Sequence, residues 1–365
     1  MMWERLAGQE RAVALLRRAA ERPVHAYLLV GARGSGVEDA ARCFAAALVA
    51  GEDDARAVDL ALRGMHPDIV EFEPEGANYR VKEDVRERII PEASRRPVEG
   101  ARKVIVLFEA ERLVFARRTE SANALLKTIE EPPPRTVMLL VTATPDELPD
   151  TVRSRCQRVD LVPLAEATLR EALERDGVPA ARAALASSLA GGQLGRARAL
   201  AGSDLAIRDA FVNAAALLDG HAASAVQGAE AIAETLKLAV AELEQRQDDD
   251  AESLAAELEA AGYPDRSRTA LVTRLAERHK REHRAARRRA LAEGIAALES
   301  LYRDALAGDG APRRNLDRAP LPVDPASAVV ALTACAAARE ALERNPNEGL
   351  LVERLLVALP AANPS

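Results

Sequence analysis

The sequence predicts an α/β domain followed by helices alone. It divides into a parallel sheet with helices on both faces over residues 1–164, a small helical domain over 165–203, and an all-α domain over 204–365. Three observations predict this. Short unbroken apolar runs at 28–30, 104–107 and 137–141 alternate with helix-spaced segments, which suits strands buried on both faces. A glycine-rich turn, Gly31-Ala32-Arg33-Gly34-Ser35-Gly36, separates the first run from a helix. From Asp204 onward no strand pattern appears.

The bulk properties bound the function. The 365 residues are 48% hydrophobic and 29% charged, as in a globular chain of two or three domains, and only 3% are aromatic. A net charge of −7 excludes a surface that grips nucleic acid everywhere, so any such contact is local. Cys43, Cys156 and Cys335 lie far apart and form no CxxC pair, which fits a reducing cytoplasm without a disulfide framework. The opening MMWERLAGQERAV lacks an apolar signal core, and no continuous apolar stretch reaches the length of a membrane span. The expected location is cytoplasmic, with no membrane partner.

In chain order, Ala12, Val13, Leu15, Leu16 and Ala19 give residues 9–20 helical spacing ahead of a strand at 25–30. Residues 37–49 resume that spacing after the glycine-rich turn. The interval from Gly31 to Gly36, with Gly34 between, fits the phosphate-binding pattern GxxxxGK[ST]. The chemistry does not fit. Val37 stands where a lysine would reach the β- and γ-phosphates, and Glu38 where a hydroxyl would bind Mg²⁺. A carboxylate there repels a triphosphate, so the turn is expected to serve as a tight strand-to-helix connection.

Residues 51–65 read as an acidic helix, and His66-Pro67-Asp68 as a turn into a strand at 69–72. Residues 81–96 read as a helix interrupted near Pro91. The segment from Lys103 to Glu111 has the form of the strand that ends on an Asp-Glu pair in ATPases, the Walker B pattern. There the aspartate supports Mg²⁺ and the glutamate polarises water. Phe108 takes the aspartate position, while Glu109 matches the glutamate. Lysine, hydroxyl and aspartate are thus lost at three places that serve one chemistry. The sequence predicts no ATP hydrolysis and no cofactor. An active ATPase stays open as the alternative, because the glycine spacing and Glu109 remain.

Residues 120–159 carry the densest pattern, ESANALLKTIEEPPPRTVMLLVTATPDELPDTVRSRCQRV. Ala124, Leu125, Leu126 and Ile129 form an apolar helix face, with Lys127, Glu130 and Glu131 opposite. Pro132, Pro133 and Pro134 stop the helix. A strand at 137–141, a short helix at 146–153, Ser154-Arg155-Cys156 and a second strand at 159–162 follow. In this order the pieces closely resemble the bacterial clamp-loader branch of the AAA+ ATPases, and within it the delta-prime subunits of DNA polymerase III.

That resemblance implies a subunit without ATPase activity of its own, belonging by complex membership to the DNA polymerase III holoenzyme. Its partners would be the gamma/tau and delta subunits and, through the complex, the sliding clamp and primer-template DNA. Arg155 would act in trans as an arginine finger on a neighbour's ATP, with Ser154 and Cys156 positioning the turn. Delta-prime proteins commonly carry a four-cysteine zinc module ahead of the HPD turn. No cysteine stands there, so no metal is expected and His66 reads as a turn residue. A scaffold acting in some other ring is a third reading.

Residues 166–175 and 180–190 are helical, and Gly191-Gly192-Gln193-Leu194-Gly195-Arg196 separates them from 197–201. By resemblance this is the AAA+ lid, with Gly195 near the place of a sensor arginine and Arg196 adjacent. Helical patterns follow at 209–218, 223–247, 252–261, 266–306 and 325–344, with a loop at 308–325. Asn347 offers an N-cap, with Glu348 in the first turn of a helix up to Leu359. The ending NPNEGLLVERLLVAL resembles the ring-forming collar. Arg274 to Arg289 holds eight Lys or Arg residues. DNA contact and a solvated helix balancing Asp248 to Glu252 are both open there.

Overall fold

The computed structural model describes residues 2–32, 34–51, 54–74, 78–114, 119–260, 265–308, 311–342, 344 and 346–362. The chain divides into two compact units, Met1–Ala172 with Ala190–Arg196, and Leu173–Leu189 with Ala197–Ser365.

The first unit is built on β1 (Ala26–Val30), β2 (Ile69–Phe72), β3 (Lys103–Leu107), β4 (Thr136–Thr142) and β5 (Gln157–Asp160). All paired strands are parallel, in the order β2-β3-β4-β1-β5. Its helices include α1 (Glu10–Glu21), α2 (Val37–Ala50), α3 (Ala55–Leu62), α4 (Ile90–Ala93), α5 (Glu120–Glu130) and α6 (Asp150–Arg153). Strand residues alternate between two cores. Tyr27, Leu29, Val104, Val106, Val137 and Leu139 pack with Leu16 and Phe44 on one side. Ala26, Leu28, Ile105, Leu107, Met138 and Leu140 pack with Leu125, Ile129 and Val152 on the other. With both faces covered, the strands need no polar alternation. Each fully buried Val, Leu or Phe contributes about 1.5–3 kcal/mol.

The entry to β2 is fixed by polar contacts. The Asp68 carboxylate accepts backbone N–H bonds from Val98, Glu99 and Gly100 at 2.6, 2.8 and 2.7 Å. Nδ1 of buried His66 accepts the N–H of Asp68 at 3.1 Å, and burial lowers the His66 pKa. His66 is a neutral turn residue.

The structure departs from the sequence reading where side chains act on backbone. Residues 81–96 form a π-helix over Val81–Ile89 and then α4. Pro91 has no N–H, and its ring crowds the carbonyl four residues back; Ile90 N–H bonds to Val85, one residue beyond the α-helical partner. The segment 146–153 is a 3₁₀ turn over Pro145–Glu147 and then α6, with Pro149 between them. β5 ends at Asp160 rather than at 162, because the Gln9 side-chain amide takes both backbone groups of Val162, at 2.7 and 3.2 Å. Among the described residues of 51–65 only α3 is helical, with Asp54 as its N-cap.

α7 (Glu166–Arg175) and α9 (Leu194–Ala201) have residues in both units, and α8 (Ala180–Leu189) belongs to the second. That unit continues with α10 (Asp204–Ala216), α11 (Ala222–Ala260), α12 (Asp265–Ala307), α13 (Pro325–Leu342) and α14 (Glu348–Ala358). Phe211, Ile232, Leu291, Leu298, Cys335 and Leu355 form its core. α11 is continuous where two helices were expected, since Asp248 to Glu252 includes neither glycine nor proline. Asn347 caps α14 by accepting the N–H of Leu350 at 3.1 Å. Arg208, 1% exposed, ties the 308–325 loop to α10 through Asp317 and Asn315, all at 2.7 Å.

α13 is long and apolar enough to cross a membrane by length and composition. Its stripe of Ala331, Cys335, Ala338 and Leu342 nevertheless packs into the core of the helical unit. In the basic segment of α12, Arg274, Arg278, Lys280, Arg281 and Arg284 lie outside the described side chains, while Arg287 pairs with Glu348 at 2.9 Å.

Candidate functional site

The glycine-rich turn lies at the carboxyl end of β1, where parallel α/β sheets bind ligands. Gly34 and Gly36 have φ of +83° and +92°, values that glycine adopts without strain. Gly31 N–H donates to the Thr142 carbonyl at 3.0 Å, which ties the loop to β4. Ser35 turns its hydroxyl inward. Its Oγ has no hydrogen-bond partner and would stand 2.6 Å from a β-carbon on Gly31. Val37 is 2% exposed and belongs to the sheet core. Glu38 and Asp39 occupy the first turn of α2, the positive end of its dipole. Arg33 lies outside the described residues.

The start of α9 covers the loop. Gly195 N–H donates to the Gly34 carbonyl at 3.1 Å, and the Gln193 amide oxygen would be 3.0 Å from a β-carbon on Gly34. A β-carbon on Gly195 would itself stand 3.1 Å from that carbonyl. The absent side chain permits this approach, and Gly195 caps the loop.

At the end of β3, Phe108 is 3% exposed and packed in the core. The Arg42 guanidinium lies 5.4 Å from its ring centroid and bonds both Glu71 oxygens, at 2.9 and 3.0 Å. Glu109 has a left-handed backbone, φ +49°, and pairs with Arg112 at 2.5 Å. The carboxylate at the end of β4 is that of Glu111, which accepts from Thr142 Oγ1 at 2.7 Å. Burial pushes the Glu111 pKa up against that hydrogen bond. The sequence reading passed over Glu111; its one signal was a second acid two residues past Glu109. An apolar side chain at 37, a carboxylate at 38 and a ring at 108 do not fit a magnesium–triphosphate, which calls for a cation, a hydroxyl and an aspartate.

Ser154-Arg155-Cys156 follows α6 as a tight turn, with N–H bonds from Ser154 to Asp150, Arg155 to Val152 and Cys156 to Arg153 at 2.9, 3.2 and 3.2 Å. Ser154 and Arg155 are exposed. Arg155 Nη1 donates to the Thr151 carbonyl at 2.8 Å, and its Nε pairs with Glu130 at the end of α5 at 2.5 Å. Cys156 packs against the core below the sheet. In the β1–β5 ladder Tyr27 stands beside Gln157 and Val30 beside Asp160. The turn therefore precedes β5 and the glycine loop follows β1, at opposite ends of two neighbouring parallel strands. A five-residue strand, about 16 Å, separates those ends.

The family model described as "DNA polymerase III, delta subunit" matches residues 8–165. The DNA polymerase III subunit delta' of Pseudomonas aeruginosa is 37% identical over 153 residues, which is 40% of this chain and 45% of that protein. The delta' subunit of Bacillus subtilis is 31% identical over 180 residues, or 47% and 53%. This chain resembles the delta-prime clamp-loader subunits. The tau/gamma subunit of Haemophilus influenzae is 34% identical over 180 residues, 46% of this chain and 25% of that protein. The matches thus span about half the length of the delta-prime relatives. The match to that family model takes in the glycine loop, the β3 end and the Ser-Arg-Cys turn, and stops short of α10 to α14.

Among the described residues no cluster of three or more His, Cys, Asp or Glu side chains could hold a metal. All three cysteines are free, and burial pushes each thiol up to about 12. Cys156 is thus a neutral, half-buried anchor for the turn. At pH 8 a thiol of pKa 12 is ionised in only about one molecule in 10⁴, and the thiolate is the reactive form. Iodoacetamide at pH 8 should therefore label the folded chain at least tenfold more slowly than the chain in urea. Equally fast labelling of Cys156 in both states, read by mass spectrometry, would show that the turn is not packed as described.

Proposed function

We propose that this chain is a non-hydrolysing delta-prime subunit of the DNA polymerase III clamp loader and supplies Arg155 in trans to ATP held by a neighbouring subunit. One observation carries the reading. Arg155 is exposed at the end of the strands opposite to its own glycine loop, so it cannot serve a nucleotide there. A guanidinium is permanently charged and forked, and it stabilises charge that grows on the γ-phosphate in the transition state. Ser154 and Cys156 hold the turn. The partners are the gamma/tau and delta subunits, with the clamp and primer-template DNA reached through the complex in the cytoplasm. The division at 164 and 203 into ATPase-like, lid and collar domains belongs to the same proposal.

The active-ATPase reading is favoured by one feature, the intact glycine spacing at the N-terminus of α2. Titration of the isolated chain with a fluorescent ATP analogue and Mg²⁺ separates the two. We expect no sub-micromolar binding and no turnover, because Val37, Glu38 and Phe108 supply none of the required groups. Tight binding would support the ATPase instead.

In complexes rebuilt with the gamma/tau and delta subunits, Arg155→Ala should leave assembly intact by gel filtration, since exposed surface substitutions cost little. It should lower ATPase at one site by ~10³-fold, as for other arginine fingers. Arg155→Lys should be nearly as damaging, since an ammonium lacks the fork. Normal clamp loading by both variants would exclude the finger role.

A further inference from the structure

Glu130 occupies the last residue of α5, where the helix dipole disfavours a carboxylate, and the sequence offers a second acid beside it, Glu131. The Glu130 side chain is turned to Arg155 of the Ser-Arg-Cys turn, at 2.5 Å, with side-chain exposures of 42% and 38%. A second bond, from Arg155 Nη1 to the Thr151 carbonyl at 2.8 Å, fixes the other end of the guanidinium. The finger is thus docked on its own chain, by an oxyanion on one side and a carbonyl on the other. The Pro132-Pro133-Pro134 break ends α5 directly after this pair, so the end of α5 and the turn are held together across 25 residues of sequence.

We propose that Glu130 is a positioning residue that acts through Arg155. It is a stand-in anion that parks the guanidinium until a neighbour's phosphate replaces it. This rests on the reading of Arg155 as a trans finger. The exchange is of one oxyanion for another, so the charge keeps a partner throughout, and the parked pair sets a small threshold on engagement. Exposed ion pairs are weak, so that threshold is about two- to fivefold in the fraction of fingers available.

The test uses the rebuilt complex with Glu130→Gln, Arg155→Ala and the double variant, with assembly checked by gel filtration. Glu130→Gln keeps the shape and removes the charge. It should raise kcat/KM for ATP about two- to fivefold at low salt. The gain should fade as ionic strength rises, because exposed charges are screened. The double variant should match Arg155→Ala alone, since without the finger there is nothing to release. If Arg155→Ala is damaging but Glu130→Gln is unchanged or slower, the parking role is overturned and the finger stands. If Arg155→Ala has no effect, the finger reading falls and this proposal falls with it.

Discussion

The polarity of the parallel sheet governs what this chain can do with a nucleotide. Because β1 and β5 run side by side in the same direction, whatever follows β1 and whatever precedes β5 lie a strand's length apart. The glycine loop and Arg155 are therefore separated by construction. No rotamer of a single arginine closes a gap of about 16 Å, since the side chain itself reaches only about half that far. An arginine at that position is out of reach of a phosphate held by its own glycine loop.

The glycine loop has the backbone of a phosphate cradle with its charges removed or reversed. Val37 is absorbed into the core, Glu38 and Asp39 take the positive end of α2, and Phe108 replaces a carboxylate with a ring. Gly195 then brings backbone onto the Gly34 carbonyl. These features sit on three separate stretches of chain, yet each withdraws something that a magnesium–triphosphate needs. The fold is retained, and with it the rigid sheet that holds the Ser-Arg-Cys turn.

Much of the fold was legible because it rests on periodicity. Unbroken apolar runs marked β1, β3 and β4, and Asn347 announced the start of α14. What was not legible depended on contacts between distant residues. The Gln9 amide shortens β5 from across the unit, and Pro91 converts a helix to π geometry through a single missing donor. Glu111 gains its place at β4 only because Thr142 meets it in space. The Glu130–Arg155 pair joins two motifs that the sequence presented separately. α13 shows the converse: composition alone gives it the apolarity of a membrane span, and only its packing reveals a core stripe.

The most direct measurement is a high-resolution structure of the complex rebuilt with the gamma/tau and delta subunits and bound to a non-hydrolysable ATP analogue. The account predicts the Arg155 guanidinium within hydrogen-bonding distance, about 3 Å, of a γ-phosphate held by the neighbouring subunit. It also predicts no nucleotide at Gly31 to Gly36 of this chain. Nucleotide and Mg²⁺ seated in that loop, or Arg155 turned away from every bound phosphate, would contradict it.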